Sequence, residues 1–342
     1  MLKTTSKRFS LLSSRSYQLY LKNRSCIHTN TPALSPRKDT KAQWSTAQNN
    51  KWGQFQPIVP PSLFPVPVRS RPRLPVCSTI PYPYYAHEGI SSEWALSTPY
   101  NTSDDLIKLR ASAQLAKKIL YMGGDLCKVG TTTNSIDRIL HEAIIAEGAY
   151  PSPLNYMGFP KSVCTSINNI IAHGIPDDRP LENGDIINID VTVYLDGFHG
   201  DTSATFYVGQ VDNEGQALVE CTKESLRKAI NVCGPNVPLN EIGRIISDHA
   251  SANGYSVSDE LSGHGIGREF HCLPLIYHHV NTEDDVMTPG MVFTIEPVLS
   301  QGSSIGLMWP DEWTIATIDG GRSAQFEHMV AITEDGVEVL TD

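Results

Sequence analysis

No two of the chain's cysteines stand at CxxC spacing. Cys26, Cys77, Cys127, Cys164, Cys221, Cys233 and Cys272 lie far apart in 342 residues. That excludes a zinc finger and a dithiol redox motif, and nothing in the pattern reads as a disulfide framework. No run approaches the roughly 18 apolar residues that a membrane helix needs, so no membrane partner is expected. No acid occurs before Asp39, whereas residues 1–38 hold eight of the 27 lysines and arginines. An acid-free segment rich in Arg, Lys, Ser and Leu has the composition of an organellar transit peptide. The expected address is the mitochondrial matrix, with a plastid as the alternative and processing after Arg15 or Arg24. A secretory signal is excluded because no uninterrupted apolar core is present. Beyond residue 38, 19 bases face 37 acids, a balance of −18. Such an acidic body argues against general nucleic-acid binding.

Residues 39–100 are polar and then proline-rich, with five prolines between Pro57 and Pro67. Proline at that density rules out regular helix, so the stretch reads as an extended linker or wrapping arm. The remainder, 101–342, is long enough for one large folded domain with a sizeable core. Apolar periodicity predicts helices over 104–122, 132–146, 214–232 and 239–252. Strands are predicted over 162–168, 186–194, 199–208, 291–295, 313–318, 324–333 and 337–340. Helix, helix, strands thus recurs at an offset of roughly 110 residues, which suggests two similar halves.

The richest local signal is a pair of aspartates around a tight turn. Asp196-Gly197 separates two alternating apolar segments, which is a strong hairpin signature. A two-residue turn there sets Asp201 opposite Thr192 and diagonal to Asp190 on one face. Diagonal Cβ atoms lie roughly 7 Å apart or less, close enough for two carboxylates to share metal ions. Elsewhere Gly263-His264-Gly265 sets a histidine between glycines. Glu296 ends the apolar run Met291-Val292-Phe293-Thr294-Ile295, and Glu327 interrupts the apolar segment from Ser323 to Thr333. A buried carboxylate must be paired or bind metal. One imidazole with four carboxylates is a mixed N/O set suited to Mn, Fe, Co or Zn. From composition alone, Phe159, Phe270 and Trp313 read as core, and most of the 11 histidines as surface or turn residues. His199 reads as packing or hydrogen bonding beside Asp201.

These segments resemble the type I methionine aminopeptidases, in seven blocks and in the right order between about residues 103 and 341. The blocks are 150–168, 172–177, 188–192, 197–202, 263–271, 294–297 and 323–328. The resemblance implies an α+β pita-bread fold, as in creatinase and aminopeptidases, with pseudo-twofold halves and helices packed outside antiparallel sheets. It implies that Asp190, Asp201, His264, Glu296 and Glu327 hold two divalent ions, with Asp201 and Glu327 bridging. Glu296 would also handle the proton of the attacking water. His173 would contact substrate near the scissile amide, and His271 would hold the carbonyl or tetrahedral oxygen. Tyr156, Phe159, Cys164, Phe270 and Trp313 would wall the methionine pocket together with those histidines. Thr192 would support one metal ligand, and a monovalent-cation site would lie near Asn168 and Ser323.

The expected activity is removal of initiator methionine from nascent proteins when the second residue is small. The expected partner is the N-terminal peptide of a new protein, met in association with the ribosome, and the enzyme is expected to be a monomer. Met157 and Pro153 depart from bacterial relatives at the pocket rim, and Cys272-Leu273 replaces acids that often follow the second histidine. Three rival readings stand beside this one. They are an Xaa-Pro aminopeptidase or prolidase on the same ligand set, an inactive binding module, and a metal-storing scaffold. The segment from Tyr156 to Cys164 and the placing of Trp313 favour methionine over the first.

Overall fold

The computed structural model describes residues 51–60, 72–90 and 101–342. The basic leader, 1–38, lies outside the described residues, as do 39–50, 61–71 and 91–100.

Helix α1, Ser103–Leu126, starts on a reciprocal cap in which Thr102 and Asp105 exchange side-chain and backbone bonds. Its buried face carries Leu109, Ser112, Ala113, Ala116, Ile119, Leu120 and Gly123, at the spacing that one helix face requires. Helix α2, Thr133–Ala146, is capped by Thr132, whose hydroxyl accepts from the Ser135 amide. In the second half, α3, Asn213–Asn231, starts on Asp212, and α4, Asn240–Ala252, follows.

The first half's sheet holds β1, Tyr150–Pro151; β2, Cys164–Ile167; β4, Ile186–Leu195; and β5, Phe198–Tyr207. Strand β4 pairs with the other three. Strand β3, Ile170–Ala172, leaves this sheet to join β12, Ile315–Thr317, and β11, Gly306–Met308. The second half's main sheet runs β15, β14, β9, β7, β8. These are Val337–Val339, His328–Ile332, Val292–Ile295, Ser262–Gly265 and Cys272–Tyr277. A small sheet of β13, Ser323–Gln325, β10, Val298–Ser300, and β6, Ser256–Val257, completes it. All pairings are antiparallel. One apolar core packs α1 and α2 on the first sheet, and another packs α3 and α4 on the second. The two helix pairs, each followed by its sheets, form the pita-bread fold.

Two expectations change in detail. The strand predicted over 324–333 is two strands, β13 and β14, broken at Phe326-Glu327. At the break Glu327 leaves the apolar ladder and bridges to Ser203 of the other half. The strand predicted over 313–318 begins only at Ile315, because Asp311 accepts from the Trp313 and Thr314 amides and folds that end into a turn. Strands β7 and β8 were not predicted. Their glycines and the proline obscure a period-2 pattern.

The described parts of 39–100 lie against the body. Trp52, Phe55, Ile80 and Tyr85 are buried. The Trp52 carbonyl accepts from the fully buried Arg322 at 2.6 Å, and that guanidinium also pairs with Asp212 at 2.7 Å. Asn169 exchanges two bonds with the backbone of Ile58, at 2.6 and 3.0 Å. His141 Nε2 is 3.1 Å from the Pro75 carbonyl.

Candidate metal centre and pocket

The hairpin forms with the expected register. Asp196 and Gly197 both have positive φ, at 50° and 90°, as a two-residue turn with the twist of its strands requires. Thr192 pairs with Asp201, and Asp190 pairs with Ser203 one step away. Thr192 donates its hydroxyl to Asp201 Oδ1 at 2.7 Å. Gly200 lets α1 approach: a Cβ there would lie 2.3 Å from the Ser112 backbone. The helix thus presses on the strand immediately before Asp201.

Three elements far apart in sequence converge on this hairpin. Ligand atoms of Asp201, His264 and Glu327 all lie within 4.8 Å of one another, and all three residues are buried. His264 Nε2 is 3.8 Å from Asp201 Oδ2 and 3.7 Å from Glu296 Oε1. His264 Nδ1 lies 3.2 Å from the Gly265 carbonyl, which can only accept. The proton is therefore on Nδ1, and Nε2 turns its lone pair toward the carboxylates. The imidazole is pushed down to about 4 by burial, so it is neutral at pH 7. Glu296 Oε1 accepts from Thr294 Oγ1 at 2.8 Å, and Oε2 accepts from Gln325 at 3.3 Å. The Glu296 amide donates to His278 Nε2 at 3.1 Å. The Glu327 backbone is held at both groups, its amide donating to the Ser203 carbonyl at 2.9 Å and its carbonyl accepting from Thr202 at 2.8 Å.

The carboxylates are crowded without a cation among the described side chains to balance them. Burial raises Asp190 to about 7 and Glu296 to about 8. Burial raises Asp201 and Glu327 well above the carboxylate range, and mutual repulsion with Asp190 and Glu296 adds to it. Such an arrangement is unfavourable unless positive charge joins it, and a neutral imidazole with an aimed lone pair completes a donor set fitted to divalent ions.

Beside the carboxylates stands a cluster of aromatic rings. Phe159 and Trp313 meet edge to face at 5.0 Å, and Trp313 is 6.1 Å from the His173 ring. Tyr156 packs on Phe270 at 4.9 Å. Cys164 pairs across the strands with Asp190, and burial among acids keeps its thiol protonated. His173 has a positive φ of 56° and, like His271, is held neutral by burial. His271 Nδ1 is 2.8 Å from the Tyr156 hydroxyl. When that hydroxyl donates, the imidazole proton sits on Nε2.

Asn168 and Ser323 also meet, the Ser323 amide donating to the Asn168 carbonyl at 2.8 Å. The Asn168 side chain is taken up by Asp185 and the Gln56 carbonyl. Met157 has a left-handed φ of 49° inside the turn that presents Tyr156.

Several supporting residues escaped the sequence reading. Thr294 was legible in principle, since period-2 spacing sets it on the face of Glu296. Gln325 and His278 carry no local signal, and Tyr85 and Ser152 join the site only through tertiary packing, whereas His199 packs and hydrogen-bonds as expected.

The family model for Metallopeptidase family M24 matches residues 107–334. The chain is 50% identical over 275 residues to "Methionine aminopeptidase 1D, mitochondrial" of Danio rerio, covering 80% of this chain and 81% of that relative. It is 50% identical over 277 residues to "Methionine aminopeptidase 1B, chloroplastic" of Arabidopsis thaliana, covering 80% and 74%. The crystal structure of methionine aminopeptidase from Rickettsia prowazekii superposes with a TM-score of 0.71 at 44% identity, covering 72% of this chain and all of that one. The hairpin carboxylates, the converging histidine and glutamates and these likenesses together mark the chain as a metal-using hydrolase that belongs to the methionine aminopeptidases of metallopeptidase family M24.

Proposed function

We propose that Asp190, Asp201, His264, Glu296 and Glu327 would hold two divalent ions of the Co, Mn, Fe or Zn type. The observation that carries this is the approach of Asp201, His264 and Glu327 within 4.8 Å, with carboxylates whose raised pKa values call for positive charge. Bound ions of this kind lower the pKa of water and polarise a carbonyl.

The chain's own residues supply the rest. Glu296 takes a proton from water as the water oxygen attacks the first peptide carbonyl, then returns it to the leaving nitrogen as the C–N bond breaks. Thr294 and Gln325 each hold one oxygen of the Glu296 carboxylate and so fix its orientation. His271, protonated on Nε2 when Tyr156 donates to Nδ1, stabilises charge that develops on the oxygen. His173, neutral and recessed, sits at the scissile amide. Tyr156, Phe159, Cys164, Phe270 and Trp313 form the slot for methionine, whose thioether makes favourable contacts with aromatic rings. A bulky second residue collides with the rim, so substrates carry a small one there. The free amine of the N-terminal peptide is required. The basic leader directs the enzyme to the mitochondrial matrix, where it acts as a monomer on new chains near the ribosome.

The test is methionine release from Met-Gly-Met-Met, Gly-Gly-Met-Met and Met-Leu-Met-Met by the full chain, before and after chelation. Release from the first peptide alone, lost on chelation and restored by Co or Mn, is the expected result. Release of Xaa from Xaa-Pro peptides would move the assignment to the prolidase side of the fold.

A further inference from the structure

The segment that precedes α1 reaches the aromatic cluster through Tyr85. Tyr85 is 1% exposed, and its hydroxyl donates to the Ser152 carbonyl at 2.7 Å. Its ring meets Tyr156 edge to face at 5.0 Å and lies nearly parallel to His199, 6.3 Å away. His199 in turn bonds Ser152 Oγ through Nδ1 at 2.8 Å and stacks on Phe270 at 5.2 Å and 11°. Phe270 stacks on His271 at 4.1 Å and 23°. The turn that carries Tyr156 is tied to the same segment. Asn155, left-handed at φ 63°, donates from Nδ2 to the Ala86 and His87 carbonyls at 2.8 and 3.2 Å. Gly89 passes so close that a Cβ there would lie 2.7 Å from Asn155 Oδ1. Tyr156 itself reaches His271 Nδ1 at 2.8 Å.

We propose that Tyr85 is a positioning residue: its ring backs Tyr156 so that the Tyr156 hydroxyl holds His271 in its working tautomer and orientation. The inference rests on the roles proposed above for Tyr156 and His271. A short turn with two left-handed residues, Asn155 and Met157, has little stiffness of its own, so an aromatic ring behind it sets where its side chain points. Residues 72–90, although they precede the part of the chain matched by the family model, then belong to the catalytic unit. The hydroxyl of Tyr85 anchors the ring to Ser152, but the ring is what touches Tyr156, so Phe at 85 keeps the function.

The experiment is a double-mutant cycle on kcat in full-length, metal-loaded protein, with Tyr85→Leu, Tyr156→Phe and the pair. Tyr85→Leu is expected to lower kcat by about tenfold or more, as a misplaced catalytic group does, with a smaller change in KM. On the Tyr156→Phe background the same change is expected to cost almost nothing in kcat, because the hydroxyl through which it acts is gone. Tyr85→Phe is expected to rescue kcat to within about twofold, the conservative limit for a retained ring. Equal losses of kcat in both backgrounds would make Tyr85 merely structural and overturn the proposal. So would an unaltered kcat in a folded Tyr85→Leu protein, or a tenfold loss in Tyr85→Phe, which keeps the ring and folds. If Leu at 85 prevents folding, Tyr85→Met, closer in length, takes its place in the cycle. No kcat loss in Tyr156→Phe alone would instead remove the reading of His271 on which the inference stands.

Discussion

The Tyr156 hydroxyl and His271 Nδ1 are 2.8 Å apart, although the two residues come from opposite halves of the chain. This bond bears on which nitrogen of His271 carries the proton. An imidazole whose Nδ1 accepts from a phenol presents a donor, not an acceptor, at its other nitrogen. Tyr156→Phe is therefore expected to lower kcat by about 10- to 100-fold, somewhat less than direct loss of an oxyanion donor. Steady-state kinetics on Met-Gly-Met-Met checks this, and a change confined to KM would show that Tyr156 is only a pocket wall.

Asp201 and Glu327 stand at the centre of the carboxylate cluster. Asp201→Asn or Glu327→Gln is expected to abolish turnover and to lower the bound metal, measured by elemental analysis of the purified variants. Normal turnover in either would defeat the ligand assignment.

The His173 ring meets the Trp313 ring edge to face at 6.1 Å. His173→Ala is expected to reduce turnover far more than metal content. Parallel losses of both would assign it a structural role.

The raised carboxylates give the metal-free protein an unusual pH dependence. Asp190 at about 7 and Glu296 at about 8 hold protons in the fold that the unfolded chain releases near pH 4. Their contribution to stability is complete below the unfolded values and is lost as pH rises through the folded ones. Chelated protein should thus melt at a higher temperature at pH 5.5 than at pH 8, and this pH effect should shrink in Glu296→Gln. Added Mn or Co should raise the melting temperature most at pH 8, where binding displaces fewest protons. Calorimetry at the two pH values reads both effects.

Gly200 faces the α1 backbone at a distance no side chain tolerates. Gly200→Ala is expected to destabilise the fold by about 1–3 kcal/mol, the range for forced overpacking, and to weaken metal binding through the displaced Asp201. Urea unfolding of metal-free and metal-loaded protein separates the two. Unchanged stability would mean that the helix can withdraw without cost.

Local pattern alone determined a good part of this protein. The Asp196-Gly197 turn set the register that pairs Thr192 with Asp201, because a hairpin's contacts are made within a few residues of its turn. Helices α1 to α4 were readable because each buries one face at a regular spacing. The two glutamates stood out as charges inside apolar runs, a contrast that needs no tertiary information to notice.

Only the tertiary structure decided how distant segments meet. The break at Phe326-Glu327 exists because Glu327 bridges to Ser203 in the other half, and nothing in the apolar run from Ala324 to Thr333 encodes that partner. Strands β7 and β8 hold their places through pairing with β9 and with each other, despite glycine-rich and proline-containing sequence. The stretch 39–100 reads as an extended linker or wrapping arm, and its sequence does not say that Tyr85 is buried against Tyr156 and Ser152. A segment with no periodicity of its own takes its conformation from the surface that receives it, and that surface exists only once both halves have folded.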